Sequence, residues 1–559
     1  MQARAGLADN RPVEAAKPQP ALWLFGPYSD LLLGCGVLYA LLFLLFSAVG
    51  APLRELQPGL LFPLLVLLTG TPHYGATLLR VYEKRRDRRA YVLFSLWATL
   101  AVVALFVVSL WWGAAATFFV TLYLSWSPWH YTGQNYGLAV MFLRRGGVNL
   151  EPGLKRWIYA SFLISYLLVF LILHTAQVGA SDLPYGTQQA GVRFAPLGIP
   201  SAWTAWLAPL LIAANLGALV RAAFGLRGVA RRALLPAALL ALSQILWFSL
   251  PYGLEALGIR PASDVLRWDL RTHYFLWIAA AHSTQYLWVT AYYARQSGAW
   301  RGQLPHYAKV LAAGAAAWTL PVVLFGTQMG GPLAFDAGLG LLVAAAVNVH
   351  HFILDGAIWK LRGPIAQVLI RSDAVASEPV DRSRSRLPGR LVWAGCFGAL
   401  VLSIGALAVE QRISSALGQR DFETVRAGAA RLEAIGRASG SLQLALGKAL
   451  LSERRAAEAR ESYRRGQALL PSVRVDLLVA ATYEQEGDWR RAVELYEATL
   501  EKPLAAQERI AALTRAGRAW QQLGDGARAL ARLEEALAAD PTNTELAALV
   551  EQARPPAPP

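Results

Sequence analysis

Five of the eight histidines lie inside long apolar stretches of the sequence: His73, His130, His282, His350 and His351. An ionisable side chain inside a membrane span is costly and is, by default, a candidate for function. Imidazole is the commonest metal ligand in proteins, and metal sites in helix bundles are built from side chains on facing helices. The sequence therefore predicts that these histidines meet around a metal ion.

The spacing between each of these histidines and the next basic anchor predicts a common depth in the membrane. The spacing is seven residues from His73 to Arg80 and fourteen from His130 to Arg144, and the other two spans fall between these values. At a rise of 1.5 Å per residue, the histidines lie roughly 10 to 21 Å from their anchors. Four spans are thus expected to place histidine in one layer of the bilayer.

Polar residues follow these histidines at helical spacing. Gln134 comes four residues after His130, Gln285 three after His282, and Asp355 four after His351. Such pairs share a helix face, so the second residue can bind the same ion or orient the imidazole. The predicted ligands are His73, His130, His282, His350, His351 and Asp355, with Gln134, Gln285 and Arg80 beside them.

Several alternatives remain open at this stage. Each histidine could be structural, hydrogen-bonded to a carbonyl or an amide of a neighbouring helix. Arg80, like Asp30 at the mouth of the first apolar run, is best interpreted as an interface anchor. Non-haem iron is the expected ion, because a redox-active metal can attack unactivated hydrocarbon, and haem held between two histidines is the alternative. The remaining histidines fall at span ends, where they need no further role: His174, His273 and His306.

The composition indicates a membrane protein. Of the 559 residues, 55% are hydrophobic and only 16% are charged, which is too apolar for an ordinary soluble enzyme. Apolar runs of membrane-spanning length recur from Leu31 to Val409. The sequence predicts an all-α polytopic bundle of about eleven spans: 30–49, 57–80, 91–113, 115–143, 157–176, 202–222, 232–252, 271–294, 306–326, 333–361 and 391–409.

The charges predict how the bundle is oriented. The net charge of +16 resides largely in short connections that alternate along the chain, as in the stretch EKRRDRR at 83–89. By the positive-inside rule these connections and the N-terminus face the cytoplasm, and the chain after residue 410 lies outside, in the periplasm if the membrane is a bacterial inner membrane. Nucleic-acid binding is not expected. Cys35 and Cys396 each fall in a predicted span, which excludes a disulfide framework and a CxxC site.

The C-terminal part contains an internal repeat. A small residue is followed by an aromatic residue or leucine sixteen positions later and by proline seven or eight beyond, and this pattern occurs three times. It resembles tetratricopeptide repeats, which stack into a soluble helical array whose concave face binds a protein or peptide. The alternative is a spacer or dimerisation element. The three units are Gly447, Tyr463 and Pro471; Ala480, Tyr496 and Pro503; and Gly517, Leu533 and Pro541.

These features predict six regions. They are an N-terminal cytoplasmic segment (1–29), a transmembrane bundle with the histidines (30–365), a basic cytoplasmic linker (366–390), a last transmembrane helix (391–410), the repeat domain (411–550) and a Pro-rich tail (551–559).

The membrane part resembles a family of uncharacterised bacterial polytopic membrane proteins with intramembrane histidine motifs. The shared patterns are P-H-x-x-A-T-x-x-R-x-Y, H-x-x-x-Q-x-Y-G, H-x-x-Q-Y and H-H-x-x-L-D-x-x-I-W. The resemblance covers about residues 20–365 and implies one common site without naming its chemistry. The motifs read Pro72, His73, Ala76, Thr77, Arg80 and Tyr82; His130, Gln134, Tyr136 and Gly137; His282, Gln285 and Tyr286; and His350, His351, Leu354, Asp355, Ile358 and Trp359.

Three functions follow from different classes of protein. The first is a membrane-bound, metal-dependent oxidoreductase that acts on a lipid or isoprenoid, with the repeats recruiting a protein partner. The second is a proton- or ion-coupled transporter or an envelope assembly factor, in which the histidines and Asp355 relay protons or bind an ion. The third is a scaffold whose membrane part anchors the repeats, for which eleven spans with a polar belt are excessive.

Overall fold

The computed structural model describes residues 22–49, 62–83, 91–176, 192–250, 252–253, 257–258, 273–296, 300, 302–361, 363–371 and 387–554. These residues form helices, and no β-strand occurs among them, so the helical fold class is confirmed. The N-terminal segment up to residue 21, the linker from 372 to 386 and the tail from 555 lie outside the described residues. So do most of the basic stretch at 83–89 and residues 177–191 of a predicted outer loop.

The first two thirds of the chain form a helical bundle. Short π-helical turns precede three of its helices, at Asp30–Gly34, Val66–Gly70 and Leu93–Ala98, and another, Ile245–Ser249, extends a fourth. The helices are α1 (Val37–Val49), α2 (Thr71–Tyr82), α3 (Thr99–Trp111), α4 (Gly113–Arg145), α5 (Pro152–Leu173), α6 (Ser201–Gly225), α7 (Arg231–Gln244), α8 (His273–Gln296), α9 (Gln303–Phe325), α10 (Leu339–Ile358), α11 (Gly363–Leu369) and α12 (Leu387–Gly418).

Seven helical segments of the described chain are long and apolar enough to cross a membrane, which indicates a membrane protein. They are Leu93–Trp111, Pro152–Leu173, Ser201–Gly225, Arg231–Ser249, Gln303–Phe325, Leu339–Ile358 and Gly389–Gly418. The predicted count of eleven is therefore not confirmed. Three of the other four predicted spans contain His73, His130 and His282, and the polar side chains around these histidines lower the hydropathy of their helices.

Helix α10 lies at the centre of the bundle. It packs against α2, α3, α4 and α9, and 72% of the apolar stretch of this helix is buried inside the protein. Helices α2 and α9 approach so closely that a side chain at Gly75 or Gly314 would collide with the opposing backbone. Small residues at such crossings allow membrane helices to pack by van der Waals contact. The close packing around α10 fixes the side chains that α2, α4 and α10 direct inwards.

The C-terminal part is a linear array of antiparallel helices. Helix α12 runs without a break from the bundle into this array, through the predicted boundary at residue 410. Each following helix packs on the preceding one. Polar N-caps begin most of these helices, as where Asp488 accepts a hydrogen bond from the Arg491 amide. They are α13 (Phe422–Ala434), α14 (Gly440–Ser452), α15 (Ala456–Leu469), α16 (Val473–Glu486), α17 (Trp489–Leu500), α18 (Ala506–Gln522), α19 (Gly526–Ala539) and α20 (Thr544–Ala553).

The contacts between helices of the array follow the sequence repeat. A Cβ atom at Gly447 would lie 2.6 Å from the ring of Tyr463, and one at Gly517 would lie 2.7 Å from the side chain of Leu533. These are the pairs spaced sixteen residues apart, one residue on each helix of a pair. The small residue of each unit is therefore required by the bulky side chain that packs onto it.

A carboxylate joins the bundle to the array. Asp336, in the loop before α10, accepts hydrogen bonds from the hydroxyl of Ser439 at 2.8 Å and from the amides of Gly440 at 3.0 Å and Ser441 at 2.8 Å. It thus binds the N-terminus of α14, where a negative charge is favoured by the helix dipole. The Phe335 amide also donates to the carbonyl of Ala438 at 3.0 Å.

Candidate metal centre

Four helices each contribute one histidine to a single group. His73 lies on α2, His130 on α4, His282 on α8 and His351 on α10. One ring nitrogen of each lies within 4.8 Å of the corresponding nitrogen of the other three. Two ligands on opposite sides of an ion, each about 2.1 Å from it, are about 4.2 Å apart. Movements of less than about 1 Å therefore suffice for all four to reach one ion.

The four imidazoles form a quadrilateral. Ring centroids are 4.9 Å apart for His73 and His282, 4.8 Å for His282 and His130, 4.9 Å for His130 and His351, and 4.2 Å for His351 and His73. Across the diagonal, the rings of His73 and His130 are 6.5 Å apart. The rings enclose a small central space towards which donor atoms converge from four sides.

Asp355 closes one side of the group. Its Oδ2 atom lies 3.5 Å from Nε2 of His351 and 3.8 Å from Nε2 of His130. These two Nε2 atoms are themselves 3.2 Å apart. Two nitrogen lone pairs at this distance repel each other unless a proton or a cation lies between them. The carboxylate adds a negative charge that favours a cation.

Two members of the group have ring nitrogens without a hydrogen-bond partner. Among the described residues, Nδ1 and Nε2 of His282 and Nδ1 of His73 are buried and unpaired. The two side chains are only 1% and 2% exposed. Leaving a buried polar atom unpaired costs about 1–3 kcal/mol. Coordination of one metal ion would satisfy one ring nitrogen of each histidine.

A hydroxyl network holds one side of the group in place. Thr77 Oγ1 lies 2.9 Å from Nδ1 of His351 and donates to Oδ1 of Asp355 at 3.1 Å. The hydroxyl of Tyr286 donates to the same carboxylate oxygen at 2.6 Å, and the Trp359 indole donates to Tyr286 at 3.0 Å. Hydrogen bonds of this kind fix the ring orientation of a metal-ligating histidine. They leave Nε2 of His351 directed at the centre.

No role was predicted for Thr77 or Tyr286, although both occur in the quoted motifs. A signal was present. Each histidine of the group is followed four residues later, on the same helix face, by a polar side chain that contacts the site or its supporting residues. These four partners are Thr77, Gln134, Tyr286 and Asp355.

The structure does not bring His350 into the group. Its Nε2 atom lies 2.9 Å from the hydroxyl oxygen of Thr99 and 3.3 Å from that of Tyr82. Consecutive residues of an α-helix point about 100° apart, so His350 and His351 face different neighbours. His350 was predicted as a ligand because it lies inside a span, ten residues before Lys360, at a depth similar to that of the other histidines. Its two hydroxyl contacts instead fit a structural role.

The other predicted residues support the helices around the group. The side-chain amide of Gln134 donates to the backbone carbonyl of His282 and to Oε1 of Gln285, both at 3.0 Å. This links α4 to α8 beside two of the histidines. The guanidinium of Arg80 lies over the ring of Tyr293, 4.8 Å from its centroid, as expected of an anchor near a helix end.

Two cavities reach the group. One, here named the Asp336 cavity, has a volume of about 350 Å³ and extends from His73 and His282 to the loop that holds Asp336. The other, here named the Lys360 cavity, has a volume of about 300 Å³ and extends from His130 and Asp355 towards Lys360. Phe352, stacked on His130 at 4.5 Å, lines both. The donor atoms can thus be approached from two directions.

Comparisons with known proteins do not name this site. No family model matches the chain, and no curated protein matches it. Function must therefore be argued from the geometry and chemistry of the site itself.

Proposed function

We propose that this protein is an integral membrane oxidoreductase that binds non-haem iron between His73, His130, His282, His351 and Asp355 and acts on a lipid or isoprenoid. The observation that carries the proposal is a buried ring nitrogen of His282, unpaired among the described residues, within the group of four histidines. A structural histidine is hydrogen-bonded, as His174 is to Ser125 at 2.9 Å. A ligand histidine keeps one nitrogen free for the ion.

The donor set favours a transition metal over magnesium or calcium. Imidazole nitrogens suit zinc, copper, iron and nickel, whereas magnesium and calcium prefer oxygen ligands. Bound iron with dioxygen would supply the oxidising power to attack unactivated hydrocarbon, which zinc cannot. The chain's own part is to orient the ligands through Thr77 and Tyr286 and to keep water out with the aromatic walls of both cavities.

The arrangement of the rings favours non-haem iron over haem. A porphyrin ligated by His73 and His130 would lie flat between these two rings and extend beyond them on every side. His282 and His351 occupy two of those sides, with centroids less than 5 Å from both rings. The macrocycle would displace these two buried histidines.

We also propose that the C-terminal helices are tetratricopeptide repeats that bind a protein or peptide partner outside the cytoplasm. The packing of Gly447 on Tyr463 and of Gly517 on Leu533 supports the repeat assignment. The distribution of basic residues supports eleven spans with the N-terminus inside, in a bacterial inner membrane. Labelling of introduced cysteines with a membrane-impermeant reagent, in intact and in lysed spheroplasts, tests this orientation.

The oxidoreductase proposal is tested on protein purified in mild detergent without chelators. Elemental analysis and an optical spectrum are recorded for the native protein and for His282→Ala. Iron without a Soret band, lost in the variant, supports the proposal; zinc, or a Soret band, contradicts it. Mass spectrometry of lipid extracts treated with the protein then looks for oxygenated or desaturated products.

One observation favours a second function, an ion-coupled transporter. The two cavities reach different histidines of the group, and alternating access to an ion site also requires two separate approaches. In that case, proteoliposomes show pH-dependent ion flux that His130→Ala abolishes, and the purified protein holds no stoichiometric transition metal. The two functions therefore differ in metal content as well as in activity.

A further inference from the structure

The Lys360 cavity exists because three glycines line it. Gly133 and Gly137 are one turn apart on α4, and Gly356 lies on α10. A Cβ atom added at any of them would meet no other atom within 4 Å. Glycine inside a helix costs about 0.5–1 kcal/mol relative to alanine. Glycine at these three positions therefore lowers the stability of the helices and leaves open space beside His130.

This space is open at the side of the bundle. Gly133 and Gly356 are exposed, although each lies within one turn of a histidine or aspartate of the group. His130 is the most accessible of the four histidines, with a side chain that is 9% exposed. Gly356 lies near the C-terminal end of α10, and in a membrane protein an opening at the side of two spanning helices faces the lipids. An apolar molecule in the bilayer can therefore reach the site without crossing water.

The walls and one end of the cavity define the molecule that fits. Trp126, Trp129, Leu138 and Met141 provide apolar walls. At the end, Lys360 makes no ion pair with a carboxylate of the described residues. An apolar chamber that ends at an unpaired ammonium group is complementary to a long apolar chain with an anionic end group.

We propose that the Lys360 cavity binds a single-chain anionic amphiphile of the fatty-acid class, an inference that rests on the proposed function. The amphiphile enters sideways from the bilayer, between α4 and α10. Its head group lies at Lys360 and its chain passes His130 and Asp355. Lys360 is five residues beyond Asp355 and lies just past the end of α10 at Ile358. In this arrangement a carbon along the chain, rather than the head group, lies beside the proposed metal ligands.

Binding is tested with the full-length protein in phosphatidylcholine nanodiscs, using the fluorescence of cis-parinaric acid and of its methyl ester. Gly137→Leu combined with Gly356→Leu should weaken binding of both probes at least about tenfold, since the side chains fill the cavity. Gly217→Leu on α6 is the matched control, because Gly217 is also exposed, with open space around it, and lies outside the cavity. If the native protein, the double variant and the Gly217→Leu control bind the probes equally well, the proposal is wrong.

The head-group position is tested by Lys360→Gln. This change should weaken binding of the acid about fivefold and leave binding of the ester unchanged. Equal loss of acid and ester contradicts a charge contact. Metal content is measured on the same samples. If protein without metal still binds parinaric acid in the predicted pattern, the metal function is refuted and the cavity assignment is retained. If protein that contains the metal does not bind parinaric acid in this pattern, the cavity assignment is refuted and the metal function is retained.

The direction of entry is tested with a bimane fluorophore on Gly133→Cys, after replacement of Cys35 and Cys396 by alanine. Nitroxides placed midway along phospholipid acyl chains should quench this fluorophore as strongly as one at Leu100, which is 51% exposed on α3. Aqueous iodide should quench it far less than a fluorophore at Glu501 in the array. Stronger quenching by iodide than by lipid nitroxides contradicts entry from the bilayer.

Discussion

The Nε2 atoms of His130 and His351 lie 3.2 Å apart, although 221 positions separate the two residues along the chain. If both nitrogens bind one ion at about 2.1 Å, the angle between them is about 100°, which tetrahedral and octahedral coordination both tolerate. Asp355 and one ring nitrogen each of His73 and His282 lie close to the same two atoms. The bundle thus holds ligands from four helices close to coordinating positions.

Thr77 is predicted to tune the affinity of the site for metal. Replacing it by valine keeps the shape and removes the hydroxyl that contacts His351 and Asp355. Loss of such a supporting hydrogen bond typically weakens metal binding by about 10–100-fold. Competition with a chelator of known affinity measures the change. Thr77→Ser retains the hydroxyl, so its affinity for metal should stay close to that of the native protein. If the valine variant binds metal as tightly as the native protein does, the hydroxyl does not support the ligands.

The sequence was sufficient to identify which spans carry the site. Histidines inside apolar runs stand out because burying them is costly, and spacing alone associated His351 with Asp355. It was not sufficient to decide between His350 and His351, since adjacent residues share a depth and differ only in helix rotation. That rotation is fixed by the packing of α10 against α2, α3, α4 and α9.

The span count depends on how polar a spanning helix can be. Helix α4 is 33 residues long and contains the predicted span 115–143, but His130, Gln134 and Asn135 make it more polar than the seven apolar segments. The cavities could not be predicted from the sequence, because Gly133, Gly137 and Gly356 line one space only when α4 and α10 face each other.

Gly447 is predicted to be intolerant of larger side chains. A Cβ at this position would lie 2.6 Å from the ring of Tyr463, so Gly447→Leu overpacks the pair of helices α14 and α15. Overpacking of this kind costs about 1–3 kcal/mol. Limited proteolysis of the full-length protein should cut the array faster in the variant. Gly526→Ala, where the added atom meets open space, is the control and should behave as the native protein. Slow cleavage of both variants would indicate that the array does not depend on this contact.

Tyr463 is predicted to limit the stability of the array at high pH. Burial raises the pKa of its hydroxyl to about 12, whereas an unfolded tyrosine ionises near 10. Because the unfolded chain loses the proton first, the array loses stability as the pH rises above about 10. Tyr463→Phe removes this contribution, so the ratio of proteolysis rates at pH 10.5 and pH 8 should be smaller in the variant. An unchanged ratio would mean that other groups dominate at alkaline pH.

Asp336 is predicted to hold the array against the bundle. Asp336→Ala removes three hydrogen bonds to the start of α14, and bonds to a charged group each contribute about 1.5–3 kcal/mol. Hydrogen exchange should therefore speed up at the amides of Gly440 and Ser441. Exchange in α18, which is remote along the array, serves as the internal control. If the exchange of both amides stays at the native rate, the carboxylate does not hold this junction.

The most direct test of the metal centre compares two neighbouring histidines. His351→Ala and His350→Ala are made in the full-length protein, purified under identical conditions without chelators, and their transition-metal content per chain is measured by mass spectrometry. The geometry predicts that His351→Ala loses the metal and that His350→Ala retains it, because His350 faces Thr99 and Tyr82. Equal metal content in the two variants, whether full or absent, would contradict a centre formed by His73, His130, His282 and His351.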